Sequence, residues 1–423
     1  MDAKLLMMAG APAAFEMYPY DAVNSARFDG TTSDYLNFTP GAGNRRLWTF
    51  STWLKRCDTS NHDLLMAGAD SSNKTEISIG TDNSINFELV TGGSAAGRRE
   101  TTAVLRDPGA WYHIVCVLDS ANGTPEDRQQ IYINGVRITV FDTNTTTTLN
   151  TDSFFDNSQV MHIGRRTYNT TFNLNGYLSQ TCFIDGAALT ASSFGEDKNG
   201  VWVPSDPTGL TFGDEGWLLA YASSGALGDD TSGNTNDWTV NGLAAADQMT
   251  DNPSGSNFPT WSPLKFRTPS LLAVLSEGNL AALFDNGSYG EYSFGTMSIP
   301  AEGKWYFECK CTAVGGESNH GIVGANVPEG NPDEARTYRN NGQKFTNFAS
   351  GASYGDTYTT NDIIGVAVDM DGGNLYFYKN NTIQASGTAA FTDLLTAYPD
   401  GGWLPVGNGY NNASVLATFG QTA

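Results

Sequence analysis

The sequence predicts an all-β protein that consists of two antiparallel β-sandwiches joined by an ordered connector. Apolar residues alternate with polar ones in many short segments, which is the period-two pattern of strands with one buried face. Turn-forming residues separate these segments, and 47 of the 423 residues are glycine. Because the chain is too long for one core of ordinary size, we expect two domains.

The first predicted domain covers residues 23–190 and contains short strands at regular spacing. Residues 48–53 read WTFSTW, residues 111–118 read WYHIVCVL, and residues 131–136 read IYINGV before a closing strand at 178–186. These segments resemble the core of laminin-G-like, concanavalin A-like jelly rolls. The resemblance implies a concanavalin-type sandwich of two antiparallel sheets.

The predicted connector, residues 191–268, contains four tryptophans that require burial, namely Trp202, Trp217, Trp238 and Trp261. We therefore expect it to pack on the sandwiches. Its segments GVWVP, ALGDDTSGNTNDW and DQMTDNP resemble a region that follows laminin-G-like domains in structural proteins of tailed bacteriophage particles. The opening SARF and GNRRLWTF segments resemble the start of the same proteins.

The second predicted domain covers residues 269–423. Ile364, Val366 and Val368 alternate with small or polar residues, a turn-rich DMDGG follows, and LYFY begins another strand. Together with GKWYFE at 303–308, this text resembles the SPRY family. The resemblance implies a second sandwich that serves as a binding scaffold, with partners contacting its loops.

Composition and the N-terminal segment restrict the partners and the location that we expect for the chain. The formal net charge of −22 argues against nucleic acid as a partner, and no apolar run reaches the ~18 residues of a membrane helix. Residues 1–22 contain a short apolar run interrupted by Gly and Pro, which favours a packing segment or virion anchor over a signal peptide. Five cysteines without metal-ligand spacing indicate buried, reduced thiols of a protein made in the host cytoplasm.

No catalytic pattern emerges from the sequence. Glucanases of the concanavalin type place carboxylates on one strand as E-x-D-x-x-E, and this string does not occur in the chain. Glu126-Asp127 and Glu196-Asp197 are adjacent pairs that we expect in turns. The sequence therefore predicts a non-enzyme.

One loop has the composition of a calcium site. Asp229, Asp230, Asn234 and Asp237 supply hard oxygens around a glycine, which Ca²⁺ would accept. The alternative is that such Asx-rich loops bond their own backbone. A second candidate is Asp119, Asn122 and Asp127, because laminin-G-like domains sometimes hold calcium at their rim.

Candidate ligand-binding residues are aromatic, amide and basic side chains in segments between predicted strands. Aromatic rings stack on sugar faces, while amides and arginines bond hydroxyls. The second domain, which we prefer, supplies Tyr338, Asn340, Tyr354, Tyr358, Tyr410 and Asn411. The first domain supplies Arg165 and Tyr168. The arginine-containing stretches could equally contact neighbouring subunits.

The phage-particle resemblance implies a virion protein displayed on the tail or capsid. We expect it to contact other virion proteins and host-surface glycans, and to form a homo-oligomer in the particle. A purely structural capsid decoration protein is an alternative. A secreted glycan-active enzyme is the least favoured, because the carboxylate motif is missing.

Overall fold

A computed structural model describes residues 17–264, 272–287, 290–325, 334–399 and 401–421. Within these ranges the structure is β-strand and loop, with short 3-10 turns at Pro125–Asp127, Ala191–Ser193, Ala245–Asp247 and Ala385–Gly387. Every strand pair in the sheets is antiparallel, so the predicted fold class is confirmed. The described residues form no helix with the length and apolar character that crossing a membrane requires.

The first sandwich packs two eight-stranded sheets against each other. One sheet has the spatial order β10 (Val136–Arg137), β9 (Gln129–Ile133), β8 (Trp111–Asp119), β3 (Leu47–Arg56), β13 (Asn175–Asp185), β1 (Ser25–Asp29) and β18 (Gln248–Met249), and β16 (Trp217–Leu219) also pairs with β13. The other has the order β11 (Phe141–Thr145), β7 (Ser94–Val104), β6 (Ser84–Thr91), β5 (Asn73–Ile79), β4 (His62–Asp70), β12 (Met161–Ile163), β2 (Tyr35–Phe38) and β17 (Thr239–Asn241). Trp48 lies in the core between them, with its ring 5.4 Å from that of Phe87.

Most of the connector is part of the first sandwich. Its strands β16, β17 and β18 pair with β13, β2 and β1. A separate hairpin, β14 (Gly195–Lys198) with β15 (Val201–Pro204), carries Trp202, whose Nε1–H donates to Nδ1 of His113 at 3.0 Å. Trp217, Trp238 and Trp261 are buried and Trp202 is partly buried. The connector tryptophans therefore pack against the apolar clusters of the two sandwiches.

The second sandwich packs a seven-stranded sheet on a six-stranded sheet. The first has the order β19 (Val274–Ser276), β20 (Ala281–Phe284), β31 (Ala413–Thr418), β22 (Lys304–Ala313), β27 (Ile363–Asp369), β28 (Asn374–Lys379) and β29 (Thr382–Ile383). The second has the order β21 (Glu291–Phe294), β30 (Trp403–Tyr410), β23 (Glu317–Gly324), β24 (Ala335–Arg339), β25 (Gln343–Thr346) and β26 (Ser350–Ser353). Ile364, Val366 and Val368 of β27 are buried, as their alternation predicts.

The core of the second sandwich extends onto the outer face of the first sandwich, whose own inner core is separate. The outer face of the first sheet contributes Trp53, Trp111 and Tyr177 to the cluster that contains Trp261 and Phe284. Polar contacts cross the same junction, because the Tyr177 hydroxyl donates to the Gly278 carbonyl at 2.6 Å and Asn279 Nδ2 donates to the Cys57 carbonyl at 2.6 Å. The connector and the second sandwich therefore cover a sheet face that would otherwise be exposed.

The five cysteines, Cys57, Cys116, Cys182, Cys309 and Cys311, are all free and buried. Burial raises the pKa of each thiol, which keeps it protonated. The prediction of buried, reduced thiols is confirmed. The predicted anchor falls mostly on residues 1–16, which lie outside the described residues.

Candidate ligand-binding cleft

A cleft of about 540 Å³ lies at one edge of the second sandwich. Two chain segments form it: residues 353–356, which begin at the last residue of β26, and residues 382–386, which begin with β29. Its lining is mostly polar, with Ile383 as the exposed apolar side chain. Tyr354 belongs to this lining and is the one predicted ligand-binding residue that does.

Tyr354 forms the aromatic wall of the cleft and is half-buried. Its hydroxyl donates to the Thr388 carbonyl at 3.0 Å. Its ring meets the rings of Tyr338 and Phe377 edge-on, with centroids 5.8 and 6.1 Å away. These contacts fix the ring orientation while leaving part of its surface accessible.

Gln384 ties the two sides of the cleft together. Its side chain is buried, its Oε1 accepts the Asp356 N–H at 2.8 Å, and its Nε2 donates to the Thr382 carbonyl at 3.0 Å. The next three residues all have positive φ, which is 49° at Ala385, 51° at Ser386 and 83° at Gly387. Left-handed backbone costs a non-glycine residue about 1–2 kcal/mol, so this loop is strained where it borders the cleft.

The structure corrects the placement of Tyr338 and Tyr358. Tyr338 lies in strand β24 rather than in a loop, is 0% exposed, and donates its hydroxyl to the Asp356 carbonyl. Tyr358 is also buried and donates to the Ser318 carbonyl at 2.6 Å. Burial raises the pKa of both hydroxyls, so they remain neutral donors. Both support the cleft from beneath and neither can touch a ligand.

The remaining predicted binding residues do not gather at the cleft. Asn340 uses its Oδ1 to accept the Ser318 N–H at 3.2 Å. Tyr410 ends β30, and Asn411 follows in a turn with φ of 57°, its N–H bonded to the Asn286 carbonyl at 2.7 Å. In the first sandwich, the guanidinium of Arg165 stacks over Tyr35 at 3.6 Å, and Tyr168 lies 5.6 Å from the guanidinium of Arg166.

The loop with the composition of a calcium site bonds its own backbone instead. The Asp230 carboxylate accepts hydrogen bonds from the N–H groups of Leu218, Ser232 and Asn236 and from the Ser232 hydroxyl, at 2.8–2.9 Å. Asp237 accepts the Asp230 N–H at 2.9 Å, Asn234 donates to the Gly213 and Gly216 carbonyls, and Asp229 is exposed. These contacts favour the alternative of a loop that bonds its own backbone, because both oxygens of Asp230 and Oδ1 of Asp237 already accept protein donors.

The rim alternative does not fit calcium either. Asp119 accepts from the Asn122 side chain at 2.9 Å, which occupies one of its oxygens, and Asp127 pairs with Arg137 at 2.6 Å. In the part of the chain that the structure describes, no group of three or more His, Cys, Asp or Glu side chains is arranged to hold a metal ion.

Sequence reasoning missed a charged network on the outer face of the second sheet of the first sandwich. Lys74 pairs with Glu76 at 2.6 Å and Glu88 at 3.0 Å, and Arg166 pairs with Glu76 and with buried Asp63, both at 3.0 Å. Burial raises the pKa of Asp63 to about 7, although Arg166 lowers it. The sequence signal that could have revealed this network is the alternation of charged residues, beginning with Lys74 and Glu76, along neighbouring strands.

Comparison with known proteins supports the domain order. Residues 29–193 match the concanavalin A-like lectin/glucanases superfamily in its Laminin_G_3 form, and residues 304–399 match the SPRY domain. Ran-binding protein 9 of Xenopus tropicalis is 28% identical over 197 residues, which cover 43% of this chain and 33% of that protein. The Xenopus laevis protein matches to the same extent, so the match spans about a third of the length of these relatives.

Two solved structures are also similar. The SAP-like pentraxin of Limulus polyphemus is 19% identical, covers 40% of this chain and 80% of its own, and has a TM-score of 0.30. The SPRY domain of human HERC1 is 17% identical, covers 38% and 100%, and has a TM-score of 0.30. From the two domain matches, the chain contains a concanavalin A-like domain of the Laminin_G_3 type followed by a SPRY domain.

Proposed function

We propose that the chain is a non-enzymatic virion protein of a tailed bacteriophage that binds a partner through the cleft beside Tyr354. It is displayed on the tail or capsid as a homo-oligomer, and the partner is a host-surface glycan or another virion protein. The virion setting rests on the resemblance of the connector and the opening segments to phage particle proteins. The binding role rests on the cleft itself.

The observation that carries the binding role is the strained loop at residues 385–387. Ala385 and Ser386 hold left-handed backbone at the cleft edge, and the buried Gln384 side chain fixes the loop there. Strain of this kind persists only where surrounding contacts determine it, and it concentrates at binding surfaces. The half-buried Tyr354 ring amid polar groups suits a sugar or a polar protein loop.

The charged network supports a non-enzymatic role. Glycoside hydrolysis requires two carboxyl groups that flank the sugar and exchange protons with it. On the outer sheet face, Glu76 is instead bonded to Lys74 and Arg166, and Glu88 is bonded to Lys74. Turnover of a laminarin-like polymer by the full chain would contradict this part of the proposal.

Capsid decoration is the second candidate, and the packed junction between the two sandwiches favours it. A rigid body with both sandwiches locked together suits a protein that braces neighbouring subunits. If the chain is a decoration protein, it attaches to the particle through other surfaces and its cleft binds no partner. The two candidates therefore differ in what happens when the cleft is altered.

The test uses the full chain on an array of bacterial surface polysaccharides and, separately, on purified particles that lack it. Asp356→Ala with Ile383→Ala removes two exposed cleft side chains. The matched control, Asp142→Ala with Val274→Ala, alters exposed residues elsewhere. We expect saturable binding that the cleft variant loses and the control keeps. Equal binding by both variants, or no polysaccharide or particle binding at all, would refute the cleft as the binding surface.

A further inference from the structure

Asp156 is a buried carboxyl group that receives no hydrogen bond from a donor group. Its side chain is 0% exposed, neither carboxyl oxygen receives a hydrogen bond, and its φ is 54°. Burying an ionised carboxylate in this state is costly unless a positive charge or a proton compensates it. The carboxyl group must therefore either carry a proton or be compensated by a cation.

The groups that face Asp156 are themselves acidic. Its carboxyl group lies within hydrogen-bonding reach of Asp185, with Glu215 close by. Asp185 accepts the N–H of Asn44 at 2.7 Å and that of Glu215 at 3.3 Å, and Glu215 accepts the Gly41 N–H at 2.6 Å. Burial, followed by the charges of Asp185 and Glu215, raises the pKa of Asp156 to about 8.

The fold brings these acids together from three distant segments. Asp185 ends β13, Asp156 precedes β12, and Glu215 belongs to the connector just before β16. The connector loop with the composition of a calcium site positions Glu215, because Asn236 donates to the Asp214 and Gly216 carbonyls on either side of it. Gly43 permits the close approach, since a Cβ there would lie 2.9 Å from the Asp156 side chain.

A cavity of about 680 Å³ opens beside the acids and is lined by Asp185, Gly43 and two arginines. Both arginines already have partners: Arg45 Nε donates to the Ser153 carbonyl at 2.8 Å, and Arg46 Nε donates at 2.5 Å to Asp152, which lines the same cavity. The cavity gives solvent and small ions access to the edge of the cluster. It has room for the water molecules of a partly hydrated ion.

We propose that a hard divalent cation, with Ca²⁺ as the first candidate, binds between the carboxylates of Asp156 and Asp185. Calcium takes six to eight oxygen ligands and accepts waters and main-chain carbonyls beside carboxylates, so two acidic side chains at the edge of a cavity suffice as its anionic ligands. Glu215 adds negative charge near the ion. This site is separate from both calcium candidates of the sequence and joins the connector to the first sandwich.

The experiment uses the full chain, stripped with EDTA and titrated with CaCl₂ at constant pH. We expect a saturable rise in Tm, because an ion that binds only the folded state stabilises it. TbCl₃ provides a second probe: Trp48 Nε1 donates to Ser153 at 3.1 Å, close enough in the fold to sensitise terbium luminescence at Asp156. Calcium should displace this signal.

Asp156→Asn distinguishes a bound cation from a proton shared between the two carboxyl groups. The amide keeps the shape and can donate to Asp185, so we expect a folded chain that has lost both the Tm response and the terbium signal. The exposed Asp229→Asn is the matched control and should keep both. An unresponsive wild type, or equal responses in wild type and Asp156→Asn, would overturn the proposal. An unresponsive wild type that Asp156→Asn stabilises in EDTA would identify a shared proton instead, and would overturn it too.

Discussion

Lys55 is the residue whose replacement tests most sharply whether the connector and the sandwiches form one body. Its ammonium group bonds to Asp251 at 2.8 Å, to Asn257 at 3.0 Å and to the Phe258 carbonyl at 2.5 Å. The side chains of Lys55 and Asp251 are both 0% exposed. Lys55 comes from β3 of the first sandwich and its partners come from the connector, so the pair spans the junction.

Lys55→Met keeps the length of the side chain and removes its charge. Asp251 then stays buried with the Trp111 Nε1–H, at 2.9 Å, as its remaining side-chain donor. Removing one member of a buried ion pair costs about 3–5 kcal/mol, because the other charge is left uncompensated. Chemical denaturation of the full chain should show this loss in the free energy of unfolding, and the double variant Lys55→Met with Asp251→Asn should recover part of it.

The matched control is Lys304→Met. Lys304 pairs with Asp369 at 3.5 Å, but its side chain is 68% exposed, so the loss should stay below about 1 kcal/mol. If Lys55→Met costs no more than Lys304→Met, Lys55 is solvated and the junction is not packed. The core of the second sandwich would then not be packed on the outer face of the first.

Three further predictions concern other parts of the chain. His320 is buried and its pKa is lowered to about 3, so unfolding takes up a proton and stability falls as pH drops from about 6.5 towards 3. In denaturation series at several pH values, His320→Asn should reduce that slope by about 1.4 kcal/mol per pH unit, and an unchanged slope would show a solvated imidazole. Gln384→Ala should cost about 1–3 kcal/mol and speed hydrogen exchange at the Asp356 amide, whereas unchanged exchange would contradict its bridging role. Trp217→Ala should cost about 3–5 kcal/mol in the same denaturation assay, and a negligible loss would show that β16 is not integral to the first sandwich.

The sequence predicts the parts of the fold that depend on local periodicity. Alternation along one strand places Ile364, Val366 and Val368 inward regardless of what lies opposite, and a bulky Trp217 requires burial wherever it falls. The pairing of connector strands with both sheets of the first sandwich was not predictable in this way. Strands of two or three residues have too few positions to show a period.

The candidate site was harder to predict because its geometry is non-local. Tyr338 lies in a segment without clear alternation, yet the structure places it on an inner strand, beneath a loop some twenty residues away. Asp156 shows the same limit, because its environment is set by Asp185 and Glu215, which lie 29 and 59 positions further along the chain. For the loop that contains Asp230, the calcium site and the self-bonded loop are predicted from the same residues. Only the backbone contacts of Asp230 distinguish the two interpretations.

Hydrogen–deuterium exchange of the full chain tests the proposed binding cleft most directly. It would compare the free chain with the chain saturated by the polysaccharide or particle that it binds. We predict new protection at residues 353–356 and 382–387, with little change in the already buried strand β27. Protection elsewhere on the chain, with both cleft segments unchanged, would contradict the account.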